Sequence, residues 1–346
     1  KNNSAYSGGG LDLNTSEPLF YDVQIKNNDA DAYGGGMYLI GSSPLLFQTI
    51  IRDNQSGNKG GGIYMNTCPE PIFNNTLIYS NEADTLGGGV YIYDSKPILN
   101  FTSIANNTAL SGAGIQLTGH EGFDPTPIIK NSIIWNGTQN NIDIEDINNN
   151  ATIDISYSSI QGGFGEGTSF EENQNINLDP LFNDPENGDF TLNDSPCTNG
   201  GNPNAWFQDT DGSPADMGYT GGSLIHPNFT ELDFGEVGDI DITYNFILHN
   251  FRETPITINN VSFGTNNFSS TTIFPITIYP LNKGNIAIVC SPEDFGEISD
   301  NMSIISTDLP QGVSIQLFAT GSEGNLLSGN IPSGTLDVDT YIVTSD

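Results

Sequence analysis

The sequence predicts an all-β chain, a right-handed parallel β-helix solenoid followed by a β-sandwich, and three observations predict it. Glycine triplets recur at Gly8 to Gly10, Gly34 to Gly36, Gly60 to Gly62 and Gly87 to Gly89, with Gly112-Ala113-Gly114 as a worn fifth copy. Their spacings of 26, 26, 27 and 25 residues are regular enough to signal stacked repeats. Short apolar segments alternate with period two after each triplet, with no helical stripe. From about residue 223 a run of short strands is punctuated by turns, again without helices, which argues a sandwich.

Within residues 1–163 each copy has the same internal grammar. After the triplet come Leu11-Asp12-Leu13, Met37-Tyr38-Leu39, Ile63-Tyr64-Met65, Val90-Tyr91-Ile92 and Ile115-Gln116-Leu117. Strand side chains alternate between faces, so the outer two of each trio point inward and the middle one outward. A proline follows in every copy, at Pro18, Pro44, Pro71, Pro97 and Pro127, where it marks the start of the next strand. Seven residues after each proline stand Ile25, Ile51, Ile78, Ile104 and Ile134, and five after stand Val23, Thr49, Thr76, Thr102 and Ser132. Ten after stand Asn28, Asn54, Asn81 and Asn107, a row that Gly137 breaks. A period this short has no room for crossover helices, so each copy is one coil climbing about 4.8 Å and hydrogen-bonding to the next. The Ile row is then the core, and the Asn row is expected to form a side-chain amide ladder at a turn. Glycines supply positive φ or close approach at another corner.

The stretch GGGIYMNTCPEPIFNNTLIYSN, residues 60–81, resembles the coils of polymorphic outer-membrane-protein repeats and of the wider pectate-lyase-like β-helix superfamily of secreted bacterial proteins. The resemblance covers roughly residues 1 to 163 and implies the fold strongly; a fold hosts many activities, so it implies function weakly.

Residues 164–222 contain NINLDPLFNDPENGDFTLNDSPCTNGGN and FQDTDGSPADMGYTGG, which resemble the closing turns of secreted β-helix proteins. Asp209, Asp211 and Asp216 are candidate calcium ligands, since calcium takes hard oxygen donors, or equally turn formers. The segment 223–322 opens with FTELDFGEVGDIDITYNFILHNF. Leu232-Asp233-Phe234-Gly235, Phe246-Ile247-Leu248-His249-Asn250 and Val313-Ser314-Ile315-Gln316-Leu317 resemble the immunoglobulin-like domain of Hydin-type and choice-of-anchor-D surface proteins. That resemblance implies a spacer or interaction module. Residues 323–346 are read as a linker and the first strand of a possible further β-helix module. The chain thus starts inside one solenoid and stops at the threshold of what resembles another, so it is expected to belong to a larger modular chain or a surface assembly.

Forty-two acidic residues against 8 basic ones give a formal charge of -34, while only 14% of residues are charged. Such a chain repels nucleic acid and anionic membranes, and no apolar run is long enough to span a bilayer. An extracellular or cell-surface location is expected. Cys68, Cys197 and Cys290 sit in different segments without metal-ligand spacing and are expected to be unpaired or merely buried. Thirteen Asn-x-Ser/Thr triplets, Asn54 and Asn136 among them, reflect an Asn-rich composition or mark glycan acceptors.

The superfamily's lyases imply acidic calcium ligands with a basic proton acceptor, and its hydrolases imply clustered aspartates. This chain has two arginines, Arg52 and Arg252, no Asp-Asp pair and no His-Gly. Two candidate ligand sites remain. The insertion GHEGFDP carries His120, Glu121 and Asp124 on a lengthened loop, where function collects. The outward Tyr38, Tyr64 and Tyr91 stack as a column that offers aromatic surface to a sugar or protein partner, or simply covers the sheet. The reading that results is a non-enzymatic extracellular structural or adhesin-like protein with no required cofactor, partnered by other surface modules, copies of itself or a glycan. The alternative is a polysaccharide lyase or hydrolase, or a glycan-binding module, on the same scaffold.

Overall fold

The computed structural model describes residues 1–120, 125–137, 141–146, 151–163, 173–238, 240–293, 295–310 and 312–322. The chain is all-β, with short 3-10 turns at Pro185–Asn187 and Ala205–Phe207 as its helical elements among the described residues. It divides into two compact units: Lys1–Pro203 with Phe207–Gly222, and Asn204–Trp206 with the chain from Ser223 onward.

The first unit is a parallel β-helix. The strand that follows each glycine triplet stacks on its equivalents in a six-stranded parallel sheet, running from Leu11–Asn14 through Met37–Ile40, Ile63–Asn66, Val90–Tyr93 and Ile115–Gly119 to Ile142–Asp146. A second parallel sheet takes the strands that begin one residue after each proline, among them Ile72–Tyr79 and Ile98–Ala105. A third, narrower sheet joins the strands that precede the triplets. Register follows the repeat: Ile63 faces Met37 on one side and Val90 on the other.

Hydrophobic burial organises the coil. Ile51, Ile78, Ile104 and Ile134 are fully buried, as are Met37, Leu39, Ile63, Met65, Val90, Ile92, Ile115 and Leu117. The row of Thr49, Thr76, Thr102 and Ser132 is buried too, and its hydroxyls donate to main-chain carbonyls of their own turn, as Thr76 does to Asn74.

The asparagine ladder runs the length of the solenoid. Asn28 Nδ2 donates to Asn54 Oδ1 at 2.9 Å, Asn54 to Asn81 at 2.9 Å, and Asn81 to Asn107 at 3.0 Å. Each Oδ1 also accepts the main-chain N–H of the previous rung, as Asn107 Oδ1 does from Asn81 at 2.9 Å. The row does not break at Gly137. Asn136, one residue earlier, takes the rung, and Asn141 follows it at 3.0 Å. A ladder is fixed by position in space, so a turn one residue shorter, two residues from Ile134 to the rung against three from Ile104, brings up the neighbouring residue. Asn54 and Asn136 are therefore inside the stack, 1% and 7% exposed, and are closed to a glycan in the folded chain.

Glycine has two jobs. Gly34, at φ +64°, makes a bend that an L side chain resists, and a Cβ on Gly36 would stand 2.5 Å from the Gly62 carbonyl oxygen of the next coil. The remaining corners are turned by other residues in the left-handed region. Asp22, Gln48, Asn75, Phe101, Asn131 and Tyr157 form one such column, and Asn27, Asp53, Ser80 and Asn106 form another. The sequence gives no hint that Phe101 or Tyr157 bends the chain, because the conformation is imposed by coils packed above and below.

Residues 173–222 add a partial coil and then a cover. Asn175 and Ile176 pair with Ser158 and Ile160 as a last piece of solenoid. From Phe182 the chain runs along the outside of the second sheet instead of across the end of the stack. Phe190 packs on Leu77, Ala105 and Tyr79, while Met217 and Cys197 pack on Ile133. Gly218 N donates to Asn131 O at 2.7 Å, and Asn75 Nδ2 reaches Gly221 O at 2.6 Å. The closing turns expected for this segment thus form a flank cover, over outward positions that are apolar.

The second unit is a β-sandwich. One sheet orders Ile225–Pro227, Ile242–Asn250, Asn282–Cys290 and Phe268–Ser270, all antiparallel. The other orders Glu231–Val237, Ser314–Gly321, Gly296–Ile305 and Asn260–Ser262, with a parallel pair between its first two strands. Phe246, Leu248, Ile286, Ile288, Met302, Ile315 and Leu317 fill the space between them. Trp206 belongs to this core: it is 1% exposed, its ring lies 5.9 Å from Phe246, and its Nε1 donates to Ser314 O at 2.9 Å. Residues 323–346, with the strand expected there, lie outside the described residues.

Candidate functional site

The repeat places one outward column on the six-stranded sheet. Asp12, Tyr38, Tyr64, Tyr91, Gln116 and Asp143 are strict register partners from coil to coil. Identical side chains one coil apart meet, and the tyrosines stack, with ring centroids 5.2 Å apart for Tyr38 and Tyr64 and 5.1 Å for Tyr64 and Tyr91. Tyr33, from the adjoining column just before the glycine triplet, closes on Tyr64 at 5.0 Å. Lys59, one coil on in that same column, donates to Tyr91 Oη at 3.0 Å and sits 4.6 Å above its ring.

This geometry decides what the column offers. Each ring lies against its neighbours, so the row presents phenol edges and hydroxyls, and its faces are largely occupied by one another. Tyr91 is 1% exposed and Gln116 is fully buried, so the accessible part is Asp12, Tyr38, Tyr64, Tyr33 and Lys59. Burial, then the neighbouring Tyr91 and Tyr38 phenols, holds Tyr64 well above the usual phenol range. Burial, then Asp12 and Tyr33, raises Tyr38 in the same way. Both phenols therefore stay protonated and act as neutral hydrogen-bond donors beside one carboxylate and one ammonium.

The loop candidate splits. Glu121 and Asp124 lie outside the described residues. His120 does not stand alone: its Nδ1 lies 2.5 Å from Asp94 Oδ2 and 3.1 Å from Tyr93 Oη, and its ring stacks on Tyr93 with the planes 4° apart. The Asp94 side chain is fully buried and its Oδ1 accepts the His120 main-chain N–H at 3.3 Å. A buried carboxylate oriented on an imidazole fixes the end of the strand; it also leaves the ring 43% exposed.

Asp209, Asp211 and Asp216 serve as turn acceptors. Asp209 takes the N–H groups of Asp216 and Gly222, Asp211 Oδ1 takes Ser213 N at 2.9 Å and Oγ at 2.6 Å, and Asp216 takes Asn199 N at 2.7 Å. Burial raises Asp209, while the Ser213 hydroxyl lowers Asp211. Among the described residues no group of three His, Cys, Asp or Glu side chains is placed to hold a metal ion, and these three carboxylates are engaged by main-chain and hydroxyl donors. The three cysteines are unpaired and buried. Arg52 lies on the outer face, pairs with Asp53, and stands 5.8 Å over the Tyr79 ring.

Sequence reasoning missed Tyr33, Lys59, Tyr93 and Asp94. The signal for the first two was present: Tyr33, Lys59, Leu86 and Ser111 each stand one residue before a glycine triplet or its worn copy.

Residues 1–126 match the family described as "Right handed beta helix region". This match, with the six stacked coils, makes the first unit a right-handed β-helix. No curated protein matches the chain. Among solved structures, a Porphyromonas gingivalis W83 protein of unknown function is 18% identical over 28% of this chain and 46% of its own, at a TM-score of 0.25. The PapD-like domain 7 of human CEP192 is 11% identical over 29% of this chain and 86% of its own, also at 0.25. The E. coli chaperone DraB is 12% identical over 28% and 53%, at 0.22. The chain spans about half the length of the first and the third of these proteins. Scores at this level carry no argument about this chain.

Proposed function

We propose that the chain is a non-enzymatic extracellular or cell-surface structural or adhesin-like protein, partnered by other surface modules or by copies of itself. One observation carries the reading: the asparagine ladder, buried from Asn28 onward, passes without a gap from Asn3 through Asn28, Asn54, Asn81, Asn107 and Asn136 to Asn141. A row of internally satisfied amides makes every coil depend on the next and resists bending, which is what a stalk or scaffold requires. The sandwich, with its immunoglobulin-like resemblance, acts as spacer or joint.

The test is incubation with pectin, alginate and neutral glycans, with and without calcium. Intact polymer is expected in each case, together with retention of the protein on whole cell surfaces. Release of unsaturated uronate or new reducing ends overturns the reading in favour of a lyase or hydrolase.

A glycan-binding module is favoured by a separate observation, the accessible Asp12, Tyr38, Tyr64 and Lys59 group, whose hydroxyls and charges suit a polyhydroxylated ligand. Tyr38→Phe and Tyr64→Phe keep the rings and remove the donors. On a glycan array they are expected to reduce binding about tenfold for two lost hydrogen bonds. Unchanged binding by both variants assigns the row to structure alone.

A further inference from the structure

We propose that the first strand of the sandwich, Ile225–Pro227, is an acid-released latch, let go when two histidines that face each other across neighbouring strands gain protons beside a lysine. The chain holds three histidines and 8 lysines and arginines, so bases are scarce. Three of them nevertheless share one row of one sheet. His226 on the edge strand is the register partner of His249 on Ile242–Asn250, and His249 is in turn the partner of Lys283 on Asn282–Cys290. Like charges directly opposite one another destabilise a sheet, so the row favours neutral imidazoles. Phe251 packs on both rings, 5.6 Å from His226 and 5.9 Å from His249. The main chain of Ser223 hydrogen-bonds the His226 ring, and that of His226 the His249 ring. The charges that follow Phe251 are engaged elsewhere or open to water: Arg252 donates to Asp308 O, the Asp308 carboxylate accepts Thr257 N at 2.8 Å, and Glu253 is exposed.

The strand that carries His226 has the least to hold it. It is three residues long, ends its sheet and pairs there with one neighbour among the described residues. Ile242–Asn250 is held on its other side along its whole length by Asn282–Cys290, so it stays when the edge strand departs. Release bares the pairing edge of Leu248, His249 and Asn250. The sign follows from the two states. Burial and then His249 hold His226 far below its ordinary 6.5 in the closed strand, and burial and then Lys283 lower His249. The open strand takes up protons that the closed one refuses, so opening gains as pH falls below 6.5. From about pH 7.5 to about pH 5, His226 alone shifts the opening equilibrium roughly thirtyfold.

Hydrogen exchange of the full chain, read by mass spectrometry at about pH 7.5 and about pH 5 and corrected for the intrinsic rate at each, tests this. The reporting amides are Asn228 and Phe251, which donate to Ile247 O and Leu224 O at 2.9 Å and lose those partners on release. Their protection is expected to fall roughly thirtyfold or more on acidification, while amides of Asn282–Cys290 and of the coils change by less than about threefold. His226→Phe keeps a ring and removes the proton site, and is expected to abolish most of the fall. If that variant does not fold, His249→Gln, at a half-buried position, is expected to reduce the fall at least about threefold. Equal protection at the two pH values overturns the proposal. So does a loss spread evenly over the sandwich, which is unfolding of the whole unit, or a fall that a folded His226 or His249 variant retains in full.

Discussion

Asn81 shows how much a single side chain holds in this molecule. Its Oδ1 accepts from Asn54 N at 3.1 Å and Asn54 Nδ2 at 2.9 Å, while its Nδ2 donates to Ile51 O, Tyr79 O and Asn107 Oδ1. Asn81→Leu leaves buried donors and acceptors on two coils without partners, at about 1 to 3 kcal/mol each, so a loss of roughly 3 kcal/mol or more is expected in urea unfolding. Ile78→Asp goes further: a charge in the fully buried Ile row costs several kcal/mol and is expected to unfold the stack, and an unchanged melting curve would refute the coil assignment. In the sandwich, burial and then the neighbouring His249 hold His226 down at about 3 from 6.5, so it is neutral in the folded state. Below pH 6.5 the unfolded chain takes up a proton that the folded chain refuses. Stability is therefore lost as pH falls from about 6.5 toward about 3, at up to about 1.4 kcal/mol per pH unit. His226→Phe is expected to flatten that acid limb in melting temperature against pH. A slope equal to that of the unsubstituted chain would assign the acid sensitivity to other groups, His249 first among them, since burial lowers it too.

At the scale of elements, the flank cover teaches the most. The outward column of the second sheet runs Gln24, Ile50, Leu77, Ser103 and Ile133, and its companion runs Lys26, Arg52, Tyr79, Ala105 and Trp135. The first coil is polar at both positions and the later coils are mostly apolar, which is where residues 182–222 lie. That change was legible as a departure from the inside-outside alternation, yet only the structure shows which segment answers it. Phe190→Ala removes a ring that is 1% exposed and 4.8 Å from Tyr79. It is expected to cost about 3 kcal/mol and to speed proteolysis of residues 182–222 ahead of the coils. Cleavage rates equal to those of the parent chain would mean that the cover is held by its hydrogen bonds. The aspartate turn gives a related expectation. Because Asp209, Asp211 and Asp216 hold main-chain donors, a chelator is expected to leave the melting temperature unchanged, whereas a drop of several degrees would reinstate a bound cation.

For the whole molecule the governing quantity is charge. A surface carrying -34 repels itself, so raising ionic strength from about 20 to 200 mM is expected to raise the melting temperature of the full chain. A fall with salt would mean that ion pairs dominate over repulsion, although among the described residues Lys and Arg pair with carboxylates only at Arg52–Asp53 and Lys130–Asp154. The sequence by itself determined the coil, its handedness by family likeness, the inward rows and the asparagine rungs, because a periodic chain stacked on itself turns every one-dimensional repeat into a three-dimensional column. It also placed the tyrosine column on the outside. What only the tertiary structure decided are the engagement of His120 by Asp94 of the neighbouring coil, Trp206 in the sandwich core, the cover over Leu77 and Ile133, and the left-handed bends at Phe101 and Tyr157. These join residues distant in sequence or impose a backbone that the residue alone would not adopt, so their cause lies in packing between segments, and local pattern carries no record of it.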